Sequence, residues 1–245
     1  MSFRNLFRKE WRSIFPLFAA YSALVVLLYL ILLFKRSGMD NDVMFILAVF
    51  LPFLFISVIA IGIGYYQLHT EWRTNSIYLL LSLPVRGWKV LTAKLAAVIA
   101  LLLLQLVWIG ASFALILLRV HWDEFSGNGE LSLTTLLNVA FNSFWMYVLV
   151  VLFLLAVLQF AYLSGQLVAK FKWLVVMGAF VGALWLVMRI SPPLSGLLSW
   201  TPEILYGGKD TDVMYLHSGP FILLLLLTIG LIALNGYIFE KEVEV

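Results

Sequence analysis

The chain has 245 residues, 16 of them basic and 13 acidic; 12% are charged and 63% are hydrophobic, and the mean hydropathy is +1.03. Soluble domains run roughly 45–50% apolar and about 25% charged, so a water-bathed domain is excluded. About 20 apolar residues cross a hydrocarbon core, and 1–245 therefore reads as one all-α membrane domain of several spans. With no cysteine, disulfides, thiolate chemistry and cysteine-held metals are excluded as well. The net charge of +3 is scattered between apolar runs and forms no patch for nucleic acid.

In the first segment, Phe3, Leu6, Phe7, Trp11 and Ile14 recur on one helical face, with Arg4, Arg8 and Arg12 on the other. This pattern predicts an amphipathic interfacial helix over 1–14. Glu10 projects onto its apolar side, which suits contact with protein better than with lipid. A cleaved signal peptide is disfavoured, because about 20 apolar residues follow with no small-residue cleavage site after them.

Charge-free apolar runs predict six spans, near 15–34, 43–67, 95–118, 138–162, 173–188 and 219–239. The uncharged stretch 131–169 could hold two helices, but no Pro or Gly cluster interrupts its centre, so it reads as one. Of the 16 basic residues, 11 fall on the side of the termini and of the second and fourth connections. The positive-inside rule then places both termini in the cytoplasm of a multi-pass cell-membrane protein. Eight of the 13 acidic residues fall on the other side; the tail Glu240, Glu242 and Glu244 runs against this trend.

With these boundaries no Asp, Glu, Lys, Arg or His lies in the body of a span, which disfavours a transporter driven by an ion gradient. His69, His121 and His217 sit at or beyond span ends without HExxH spacing, and neither GxSxG nor GxxxxGK[ST] occurs. The chain is therefore expected to have no catalysis, metal or nucleotide site of its own.

The second connection stands apart. Glu71 and Thr74 can support a helix N-terminus, 79–83 is an apolar block, and Pro84 with Gly87 closes the segment. A short sticky helix outside the membrane requires a partner groove. The run Glu71, Leu80-Leu81-Ser82-Leu83-Pro84 and Lys94 resembles the segment between the second and third spans of type-2 ATP-binding-cassette exporter permeases. In that family an acidic residue, a Gly-Thr step, a Leu-Leu-Ser-x-Pro run and a downstream Lys recur. Here the Gly-Thr step reads Asn75-Ser76, and Asn is the other residue that accepts a left-handed backbone.

The resemblance implies that 71–84 is a coupling helix docking on an ATPase subunit, with Glu71, Thr74, Asn75, Ser76, Leu80, Leu81, Ser82, Pro84 and Glu10 at that junction. It also implies two separate ATPase chains binding ATP and Mg, and a homodimer of this chain forming the path. The apolar but broken external stretch 191–206, with Pro192, Pro193 and Pro202, looks like the re-entrant segment such permeases carry before their last span. Gly178 and Gly182 form a GxxxG pair in the fifth span, and the family uses its first and fifth spans at the subunit interface.

Uncharged, aromatic-rich helices suit an amphipathic or hydrophobic cargo, with an amphipathic peptide such as a toxin or bacteriocin favoured over drugs and lipids. Gln105, Asn142 and Gln159, with Gln67, are the candidates to line its path, although helix-to-helix bonding is the favoured role of each. Two other readings are an immunity protein that sequesters a membrane-active peptide, and a small channel.

Overall fold

The computed structural model describes residues 3–35, 43–44, 46–76, 86–120, 133–168, 170–207 and 213–241. Six long helices dominate: α1 (Phe3–Lys35), α2 (Leu51–Arg73), α3 (Gly87–Val120), α4 (Leu133–Gln166), α5 (Lys172–Leu197) and α6 (Gly219–Lys241). Each is long and apolar enough to cross a membrane, so the chain is a multi-pass membrane protein. A π-helical turn, Ile46–Phe50, leads into α2, whose first turn takes Pro52; proline costs nothing there, because first-turn N–H groups have no intrahelical partner.

Leu6 of α1 and Phe239 of α6 lie in one buried cluster, so the two described ends of the chain share one end of the bundle. We call this the terminal end. At the opposite end, β1 (Glu203–Tyr206) pairs antiparallel with β2 (Met214–His217), Glu203 opposite His217 and Tyr206 opposite Met214.

The centre of the bundle is α3 and α4, with 61% and 56% of their most apolar windows buried; α5 buries none of its own. Buried tyrosines tie helices together through backbone carbonyls: the Tyr21 hydroxyl donates to Pro52 O at 2.6 Å and that of Tyr29 to Ala48 O at 2.9 Å. Such bonds act in place of a hydrophobic force between helices, which lipid does not supply.

The structure departs from the sequence reading in three places. Residues 3–14 are the first three turns of α1, continuous with the apolar run through Pro16, and no separate helix. At about 1.5 Å per residue, its 33 residues rise roughly 50 Å against a hydrocarbon core of about 30 Å, so one helix accommodates both the span and its charged extension. No re-entrant helix occupies 191–206: α5 continues through Pro192 and Pro193 to Leu197, and Glu203–Tyr206 is a strand. The third span begins at Gly87, two turns before the expected 95, which puts Lys94 inside a helix.

Candidate functional site

Three helices deliver polar side chains to one layer near the terminal end. On α1, Leu6, Glu10 and Ile14 repeat every four residues and share a buried face. On α2, Gln67 and Glu71 stand one turn apart on its buried face, and Lys94 lies two turns into α3. Lys94 is 2% exposed, Glu10 6% and Glu71 7%.

Lys94 Nζ donates to Glu71 Oε1 at 2.7 Å and to Glu10 Oε1 at 3.0 Å. Gln67 Nε2 donates to the second oxygen of Glu10 at 3.1 Å. The half-exposed Lys9 brings its ammonium to 3.7 Å from Glu10 and 3.6 Å from Glu71. Two carboxylates thus face two ammonium groups, and the layer is neutral. Taking each ion from water costs several kcal/mol, which only close pairing and hydrogen bonds offset. Apolar packing flanks the layer on both sides: Leu6, Leu68, Val90, Leu91 and Phe239 toward the chain ends, and Ile14, Ile63, Ala97 and Val98 toward the bundle centre.

Directly beyond Glu71 the chain leaves α2. The Thr74 N–H and hydroxyl both bond to Thr70 O, at 2.9 and 2.7 Å. Asn75 then takes φ 55°, the left-handed conformation that Gly or Asn supplies after a helix C-terminus. Its N–H donates to Trp72 O at 3.3 Å, and the Ser76 hydroxyl donates to Glu71 O at 3.4 Å. Glu71 therefore closes α2 and does not open a new helix. Leu80, Leu81, Ser82 and Pro84 lie outside the described residues.

Glu10 and Glu71 are turned inward onto Lys94. The sequence reading counted Lys94 among the charges of the second connection and expected Gln67 to bond between helices, as it does from α2 to Glu10 of α1; the anomalous carboxylate on the apolar side of α1 was the signal that something basic had to meet it.

The candidate path residues do not converge. Gln105 of α3 accepts from the Ser22 hydroxyl of α1 at 2.8 Å and is fully buried, its Nε2 without a partner. Gln159 Nε2 of α4 donates to Leu91 O of α3 at 3.3 Å. Asn142 Nδ2 donates to Asn138 Oδ1 at 3.1 Å and to Leu205 O of β1 at 3.3 Å, while its carbonyl accepts from Trp145 Nε1 at 3.1 Å. All three join elements within the chain. An apolar groove of about 530 Å³ opens between α4 and α6 beneath the hairpin, lined by Trp145, Leu149, Phe221 and Leu225 among others, and none of the three lines it. At Gly178 and Gly182 an added Cβ would meet nothing within 4 Å, so among the described residues no helix packs on that pair.

No protein-family model matches the chain, and neither curated proteins nor solved structures give a match.

Proposed function

We propose that this chain is the permease subunit of a type-2 ATP-binding-cassette exporter, working as a pair and powered by two separate ATPase subunits that hold ATP and Mg. The observation that carries the reading is the joint geometry of Glu71, Asn75 and Lys94. The acidic residue and the downstream lysine of the motif are a bonded pair at 2.7 Å, and the position where the family has glycine is left-handed here, at φ 55°. These residues give the motif a physical reason: they fix where the chain turns out of α2 and tie that turn to α1 and α3.

In this reading, residues 71–84 dock on the ATPase from the cytoplasmic side, where both termini also lie. Movement of that segment is passed to α1, α2 and α3 together, because the neutral ion layer binds all three. Rigid-body tilting between two packed states then alternates access. Gly178 and Gly182 meet the second copy, and the path for an amphipathic or hydrophobic cargo, with a peptide favoured, forms between the two copies.

The experiment is co-purification of the tagged chain from native membranes in mild detergent, with an ATPase assay on the eluate. A stoichiometric ATPase that is lost from the Leu80→Asp/Leu81→Asp variant supports the reading. A homogeneous assembly with no nucleotide-binding partner overturns it.

A further inference from the structure

The last turn of α6 and the first turn of α3 meet across two facing glycines. A Cβ on Gly87 would collide with the Phe239 ring and stand 2.9 Å from Glu240 Cγ; a Cβ on Gly236 would stand 2.7 Å from Trp88 Cβ and 3.3 Å from Trp88 Cα. Neither site has room for a side chain, and the two helix ends approach as closely as they do because both positions are glycine.

Across this contact the Trp88 N–H donates to Glu240 Oε1 at 3.3 Å. It is one of the first-turn amides of α3 that no intrahelical carbonyl can reach, at the positive end of the helix dipole, where a carboxylate is favoured. Phe239 is buried at 2% and meets Trp72 of α2 edge-on, ring centroids 6.0 Å apart. One turn earlier, Asn235 Nδ2 donates to Ala156 O of α4 at 3.0 Å. The end of α6 is thus anchored in the bundle and touches the chain just before and just after the connection 74–86.

We infer that the C-terminal end of α6 is the seat that fixes both feet of that connection: Phe239 holds Trp72 at its start, and Glu240 is a positioning residue for the α3 amides at its end. This also gives Glu240, one of the acidic residues that oppose the charge asymmetry of the chain, a local reason to be there. The inference rests on the exporter reading for its consequence only, which is that a thrust on the connection reaches α6 as directly as α2 and α3.

The test is hydrogen exchange, read by mass spectrometry, on the full chain in nanodiscs. Glu240→Ala is expected to speed exchange in the segment 86–92 about threefold and to leave 97–106 unchanged, while Glu240→Gln, which keeps an acceptor oxygen, restores most of the protection. Unchanged exchange at 86–92, or equal acceleration in both segments, overturns the seat. The same Glu240→Ala chain, assembled with its ATPase, is expected to transport less cargo per ATP hydrolysed. Absence of any ATPase partner would sink the exporter reading and leave the exchange result to decide the seat alone.

Discussion

Lys94 Nζ and Glu71 Oε1 stand 2.7 Å apart with side chains only 2% and 9% exposed, although 23 residues of chain separate them. The pair closes the base of the connection between α2 and α3, and Glu10 completes it from α1 at 3.0 Å.

Removing the lysine alone should therefore be costly. Lys94→Met leaves two carboxylates buried with only the more distant Lys9 to face them, a loss of about 3–5 kcal/mol by analogy with broken buried pairs. The triple variant Glu10→Gln/Glu71→Gln/Lys94→Met, which removes all three charges, is expected to recover most of it. Apparent melting temperature in detergent checks both, and a triple variant no more stable than the single one would count against a neutral buried layer.

Asn75 is held at φ 55°, where an L-residue with a bulky β-carbon loses roughly 1–2 kcal/mol. Asn75→Gly should melt with the parent chain, whereas Asn75→Val should melt lower and, on the exporter reading, release more readily from the proposed ATPase partner on washing. Equal retention of the Val variant would show that the turn out of α2 does not place the docking segment.

Gln105 and Asn142 should separate cleanly. Gln105→Leu removes a buried Nε2 that has no partner, while the Ser22 hydroxyl keeps Phe18 O at 2.9 Å; stability should stay level or rise. Asn142→Leu removes the bond to Leu205 O at 3.3 Å and the acceptor of Trp145, and should lower stability by about 1–3 kcal/mol. Loss of transport in Gln105→Leu with normal melting would assign Gln105 to the cargo path after all.

Gly178→Ile and Gly182→Ile add volume where nothing lies within 4 Å. The chain should fold and melt as before and, on the proposal that two copies pair through α5, the dimer band on native gels should weaken at least severalfold. An unchanged dimer would move the interface off this face of α5.

Much of the architecture was legible from apolar run lengths, including the single long helix α4 inside an uncharged stretch, because lipid leaves an uninterrupted apolar segment few alternatives. Glu10 announced itself by standing on the wrong side of its wheel, and Asn75 by its chemistry. Lys94 was misread because its charge argues for a loop unless its partners are known, and those partners are 23 and 84 residues away. Pro192 and Pro193 signalled a break, yet α5 runs on through them and ends only at Leu197. The glycine contact at Gly87 and Gly236 was invisible, since glycine is frequent in membrane helices and nothing local says which one faces a neighbour.

Of the 26 residues in α5, none is buried. A helix in lipid gains nothing from hiding leucine against leucine, and α5 packs on α4 and α6 without enclosing any of its own side chains. Held on one flank and open on the other, α5 is expected to follow the thickness of the host bilayer more readily than the buried α3 and α4. The same chain reconstituted in thin and thick membranes should therefore keep its α3–α4 core while α5 settles differently in each.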